Sequence, residues 1–572
     1  MSLGDIGPLH RSLDWSPVTK VRITDNKYVY ELSFAGASYN SETGSLPVFR
    51  ERFSVGNPNI NIEASITEEV WENIDEAALK NVQGYEYIES RLKISTAVAM
   101  ERKQAFAAVS FVPLRKDPSS GSYQKLVSFS IHLRFSEQAY PQRAAAQVYK
   151  QNSVLASGNW YKVAVQFTGI HLITYDDLSS MGLSPSSIDP RNLRVYGNGG
   201  GMLPEPCSAP RLDDLMENAI FVAGENDGSF NQGDYILFYG ESPDVWDWDD
   251  GTQQFTHEVN LYSNFSYYFI TADLGQGKRI QSVSSTTQPY THIVNKFTDR
   301  KFIEKDDLNI VRTGRDWFEY PPYEVQTTAE YTFTFPDIDL SSPVKMKTRV
   351  AARSSASSNF KYYINGNELV ETLTVQTVSF TTDQYARTAT SESEFAVSSA
   401  NVLLKVNYSK PFSASIGWMD YIALNARRNL NFGSGQLAFR DPLSAGTGNV
   451  AEYNMSGALS ALTLWDITDR FNIRKVNTNI NGSAMTFRLP ADSISEFIAF
   501  DGTSYFSASF VGKVPNQNLH SISIPDLLIV AHPAFMSEAT RLANHHRDHD
   551  GLNVFLTEID KVYNEFSSGA QD

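Results

Sequence analysis

The sequence predicts a mainly β protein: several β-sandwich or jelly-roll-like domains, followed by the first β-α-β unit of an incomplete α/β domain. Three observations predict it. The 572 residues include 28 Tyr and 34 Phe, with many Thr, Ser and Val, side chains that fit pleated, half-buried surfaces. Short runs of alternating apolar and polar residues recur along the chain, separated by turn residues. Only the tail departs from this. There Asp526-Leu-Leu-Ile-Val-Ala-His-Pro533 reads as a buried strand, and a helical pattern with a second short strand follows it.

The elements follow in order. In residues 1–140, Val21-Arg-Ile-Thr24, Tyr28-Val-Tyr-Glu-Leu-Ser-Phe34 and Leu126-Val-Ser-Phe-Ser-Ile-His-Leu-Arg-Phe135 alternate with period two, as half-buried antiparallel strands do. Their spacing suits a small β-sandwich. Residues 141–157 lose the pattern and read as a linker. A β-rich domain is expected over 158–325, beginning at Gly158-Asn-Trp-Tyr-Lys-Val163. A β-sandwich is expected over 326–428. Ala329-Glu-Tyr-Thr-Phe-Thr-Phe335, Val344-Lys-Met-Lys-Thr-Arg-Val350 and Val402-Leu-Leu-Lys-Val-Asn-Tyr408 alternate there, and Phe360-Lys-Tyr-Tyr-Ile-Asn-Gly-Asn367 carries an Asn-Gly turn signal. Residues 429–520 continue the β scaffold through Leu462-Thr-Leu-Trp-Asp-Ile467, Ala484-Met-Thr-Phe-Arg-Leu489 and Glu496-Phe-Ile-Ala-Phe-Asp501.

Residues 521–572 form the β-α-β unit. After the first strand, Phe535, Met536, Ala539, Leu542, Ala543 and His546 share one helix face, Gly551 stands at the C-cap, and Leu552-Asn-Val-Phe-Leu-Thr557 is the second strand. Parallel strands need helices over both faces. Two strands and one helix cannot provide that, so the unit is expected to open a larger doubly wound domain. Sites in such folds lie at the carboxyl ends of the strands.

Composition excludes several classes. The formal net charge is −17, which repels phosphate backbones, so no nucleic-acid partner is expected. The acidic peak Asp244-Val-Trp-Asp-Trp-Asp-Asp250 reads as a solvated loop. With a single cysteine, Cys207, neither a disulfide framework nor a cysteine zinc cluster can form. No apolar run approaches the length of a membrane-spanning helix. Met1-Ser-Leu-Gly-Asp-Ile6 has neither the basic nor the apolar region of a signal peptide.

No cluster makes a convincing site. Cys207 sits in the proline-rich Leu203-Pro-Glu-Pro-Cys-Ser-Ala-Pro210 without a neighbouring base or basic cluster, as a nucleophile would need. Gly197, Gly199, Gly200 and Gly201 suggest a phosphate loop, but no Lys-Ser/Thr follows them, which favours tight turns. Asp227, Asn231 and Asp234 give a calcium-loop composition without EF-hand spacing, and an Asx-rich hairpin loop explains them as well. Five of the ten histidines, His520, His532, His545, His546 and His549, fall in residues 520–572. His545 and His549 have the i, i+4 spacing of two metal ligands, but Arg547 stands between them, and a polar helix end accounts for both. His532 ends the first strand, where α/β sites often lie.

Longer motifs carry a resemblance. Gly158-Asn-Trp-Tyr-Lys-Val163, Leu193-Arg-Val-Tyr-Gly-Asn-Gly-Gly-Gly-Met-Leu-Pro-Glu205, Asp214-Leu-Met-Glu-Asn-Ala-Ile220, Gly233-Asp-Tyr-Ile-Leu-Phe-Tyr239, Gly314-Arg-Asp-Trp317 and Gly417-Trp-Met-Asp-Tyr-Ile-Ala-Leu-Asn425 are similar to the β region of the type IX secretion system sortases. Pro525-Asp-Leu-Leu-Ile-Val530 through Tyr563-Asn-Glu-Phe-Ser-Ser-Gly-Ala-Gln-Asp572 resembles the opening of their gingipain-type, caspase-like cysteine peptidase domain. Residues 1–140 resemble, less specifically, the gingipain prodomain, Gly44-Ser-Leu-Pro47 included. The resemblance implies a peptidase and transpeptidase at the outer-membrane surface of Bacteroidota. Such an enzyme removes the C-terminal sorting domain of secreted cargo and attaches the cargo to anionic lipopolysaccharide, beside an outer-membrane β-barrel partner. A Cys would attack and a His would act as base. In the family both lie in later strands, and no residue here matches them. No catalytic, cofactor-binding or metal residue is therefore assigned, no cofactor is expected, and the chain is expected to be catalytically incomplete. The alternative is a non-enzymatic secreted β-sandwich protein that binds glycans or a protein partner, with Trp246 and Trp248 as a stacking platform.

Overall fold

A computed structural model describes residues 5–24, 27–39, 45–56, 60–101, 104–137, 149–312, 314–366, 368–378 and 384–572. Positions 138–148 of the linker region, Gly44 and Asn367 lie outside the described residues. The chain is mainly β and divides into two compact units, Met1–Val148 and Tyr149–Asp572.

In the first unit, Tyr123–Glu137 lies between Ile6–Ser12 and Ile60–Asn73, and Leu114–Lys116 pairs with it as well. A second sheet places Gln104–Phe111 between Phe49–Val55 and Ser95–Glu101. Along Gln104–Phe111 exposed or half-buried residues alternate with buried ones, the period-two signature of a strand over a core. Phe49, Phe111 and Phe129 meet in that core with ring centroids 5.1 to 5.4 Å apart. Fully burying such a ring contributes roughly 1.5–3 kcal/mol.

The second unit stacks three sheet pairs. In the first, Trp160–Val165 pairs with Ser266–Thr271 and with Ser509–Val514. Facing it, Gly169–Thr174 pairs with Tyr235–Gly240 and, in parallel, with Phe506–Ser507. Segments 158–325 and 429–520 therefore share sheets. The chain between them makes a sandwich of its own, which takes its first strand, Lys296–Glu304, from before residue 326. One of its sheets holds Lys296–Glu304, Ile416–Asn429, Val344–Arg353 and Arg387–Phe395. The other holds Thr328–Thr334, Asn401–Ser409, Ser358–Ile364 and Glu368–Val375. Asn365 and Gly366 both have positive φ (49° and 87°), as a tight hairpin turn requires. In the third pair, Val450–Met455 and Ala484–Pro490 face Glu496–Phe500 and Gln436–Arg440, with Tyr453 stacked on Phe487 at 4.6 Å. Residues 149–157 belong to the second unit, where Leu155 is fully buried.

The acidic peak is not a loop. Val245–Asp249 is a strand paired with Gln254–Glu258. Its alternation puts Trp246 against Phe302 and Trp248 against Phe255, which anchors the hairpin while Asp247 faces solvent.

Candidate functional site

Residues 521–572 form the expected unit. Leu527–Ala531 runs parallel to Val554–Glu558, and the helix Met536–Asp550 connects them. Gly551, at φ 65°, ends the helix and donates its N–H to His546 O. The buried face is narrower than the spacing predicts. Ala539 and Ala543 are buried, but Leu542 and Phe535 are exposed, and Phe535 lies before the first helical residue. The first strand is not fully buried either, since Leu528 and Val530 are exposed. These apolar residues lie on faces that no described element covers.

A second helix, Ile559–Phe566, was not anticipated, although Ile559, Val562, Tyr563 and Phe566 have helical apolar spacing. It seats the unit on the β scaffold. Glu565, with no exposed side-chain surface, accepts from Leu519 N at 2.8 and 3.0 Å, from Gln517 Nε2 at 2.9 Å and from His520 Nδ1 at 2.6 Å. A buried carboxylate is tolerated only when donors replace its water in this way. His520 Nε2 lies 2.8 Å from Asp213 O, and the ring stacks on Phe566 at 4.8 Å. Both ring nitrogens face acceptors, so only the imidazolium can donate to both. Burial lowers the His520 pKa, but the bonds to Glu565 and Asp213, with the Asp214 charge, outweigh it and leave the pKa raised.

Lys162, on Trp160–Val165, makes the second attachment. Its Nζ donates to Gly569 O at 2.7 Å and to Asn564 Oδ1 at 3.3 Å, and lies 4.2 Å from the Tyr267 ring centroid. Burial lowers its pKa to about 8, against the opposing charge of Asp560. Ser568 completes the seat: its Oγ accepts from Asn198 N at 3.0 Å and donates to Tyr267 O at 3.2 Å.

The other sequence candidates do not converge on a reaction centre. Cys207 is exposed on its loop. His171, the nearest histidine to it in sequence, is fully buried in Gly169–Thr174, and burial lowers its pKa to about 4. His532 is exposed, and its Nδ1 accepts from Ala534 N at 3.2 Å, as an N-cap. His545 and His549 stack at 5.1 Å, while His546 and His549 both contact Asp550. Asp227 and Asp234 accept from N–H groups of their own loop, at Ser229 and Asn231. Among the described residues no group of three or more His, Cys, Asp or Glu could hold a metal ion. The glycine tract is a packing device. Gly200 N donates to the Glu241 carboxylate at 3.3 Å, and a Cβ on Gly199 would fall 2.0 Å from that carboxylate.

Residues 520–572 match the model of peptidase family C25. The chain shares the fold of dimeric latent PorU from Porphyromonas gingivalis, at TM-score 0.64 and 24% identity, over 74% of this chain and 39% of that one. It therefore spans less than half of the PorU chain. A complex of Porphyromonas gingivalis RgpB pro- and mature domains also matches, at 15% identity and TM-score 0.18, over 24% of this chain and 83% of that one. No curated protein sequence matches.

Proposed function

We propose that the chain supplies the β scaffold and the opening α/β layer of a cysteine peptidase of the C25 type. The observation that carries the reading is the joining of two features: a segment matching that family, and its seating on a PorU-like scaffold through Glu565, His520 and Lys162. The nucleophile and its base are proposed to be a Cys and a His on later strands of the α/β domain that this layer opens. We further propose the sortase activity: removal of C-terminal sorting domains from type IX secretion cargo at the cell surface and transfer of the cargo to anionic lipopolysaccharide, beside an outer-membrane β-barrel partner.

Deleting the encoding gene in its native host tests this. Mass spectrometry of secreted cargo is expected to find the sorting domain still attached and the lipopolysaccharide adduct lost. Normally processed, lipopolysaccharide-linked cargo in the deletion strain would overturn the reading. The purified chain is expected to leave the same cargo uncut, and Cys207→Ser to change nothing.

A further inference from the structure

The β scaffold carries a cleft of about 470 Å³ beside the tryptophan hairpin. Its wall includes four consecutive residues of one strand, Val245, Trp246, Asp247 and Trp248. That strand pairs with Gln254–Glu258 on one side and with no strand on the other, among the described residues. The partner's outer side is closed: Phe255 N donates to Asn425 Oδ1 at 2.7 Å, and Asn425 Nδ2 donates to Phe255 O at 2.9 Å.

This closure fixes the direction of the free edge. Opposed residues in an antiparallel pair either bond each other or both point away. Phe255 points away from its partner strand, so Trp248 opposite it does too, and Trp246, two residues along and opposite His257, follows the same rule. The N–H and C=O groups of Trp246 and Trp248 thus face outward on the cleft side. An unpaired edge of this kind is a template for another strand.

Charge selects the occupant. Two of the five carboxylates lining the cleft have arginine partners: Glu241 meets Arg470 at 2.7 Å, and Glu496 meets Arg300 at 3.5 Å. Asp247 and Glu258, on one face of the hairpin, have no cationic partner among the described residues.

We propose that this edge docks an extended peptide segment of a partner protein bearing Lys or Arg at alternate positions. The segment adds as a third strand to the hairpin. Its backbone bonds to Trp246 and Trp248, and a basic side chain lies beside Asp247, the favourable cross-strand charge pairing, with Glu258 one strand further on the same face.

The test is fluorescence anisotropy of the chain with a fluorescein-labelled peptide, Thr-Lys-Val-Lys-Val-Lys-Thr, at low ionic strength. Saturable binding is expected, weakened at least tenfold by Asp247→Lys. It is also expected to weaken at least tenfold on N-methylation of one of the two alternate sets of peptide amides, which leaves both the protein and the peptide charge unchanged. If neither methylated set weakens binding, strand addition is overturned. Equal binding of the peptide with Glu in place of Lys overturns the charge selection, and absence of saturable binding overturns the site.

Discussion

Glu565 shows what a single buried carboxylate demands. Three donor groups reach it, from Gln517, Leu519 and His520, and it has no exposed surface. Glu565→Ala removes one partner of a buried ion pair and leaves the His520 imidazolium in a site built for its counter-charge. A loss of about 3–5 kcal/mol is expected, measured by denaturant unfolding with hydrogen exchange on Ile559–Phe566. The pH dependence has a definite sign. The folded His520 pKa lies above its ordinary value of 6.5, so its contribution is fully present below that value. It is lost as pH rises through the raised folded pKa. Protection of Ile559–Phe566 is therefore expected to fall as pH rises above 6.5, and His520→Gln to flatten that profile. None of this was legible in the sequence. Glu565 is one of 65 acidic residues there, and its partners lie 45 to 48 positions away.

At the scale of elements, the sequence read best where a period has one cause. Asn365-Gly366 gave its turn because only residues tolerant of positive φ fit one. Gly551 gave its cap for the same reason. The acidic peak misled because charge density hid an alternation that seats two tryptophans. The helix face misled because Phe535 and Leu542, two of its five apolar residues, lie beyond the cover that two strands provide. The glycine tract reads as tight turns, and Gly199 and Gly201 do have positive φ (84° and 87°), but the close contacts around it are not written in the sequence. A Cβ on Gly200 would lie 1.9 Å from the backbone oxygen of Ser242, which cannot rotate aside. Gly200→Ala is expected to cost about 1–3 kcal/mol as an overpacking change, while Gly182→Ala, with open space around it, pays only for its φ of 93°. Thermal unfolding of the two variants separates steric cost from backbone strain.

Each of the two compact units is built on cores of its own. The first unit closes around Phe49, Phe111 and Phe129. The second closes around three larger clusters, one of them centred on Tyr453, Phe487 and Phe497. Within the second unit the sheets are shared between distant segments: Trp160–Val165 pairs with Ser509–Val514, and Gly169–Thr174 pairs with Phe506–Ser507. Such pairings close the β scaffold only when both ends of a long stretch of chain are in place, so this unit is expected to unfold cooperatively. The strand order within a sheet is not readable from alternation alone, because period two fixes a face but not a neighbour. Calorimetry is expected to resolve two transitions. Phe129→Ala empties a fully buried site in the first unit and is expected to remove about 3–5 kcal/mol from one transition while leaving the other in place. Tyr453→Ala, nearly as buried, is expected to do the reverse. If either variant moved both transitions together, the two units would form one cooperative body, and the seating of residues 520–572 would have to be weighed against the stability of the entire chain.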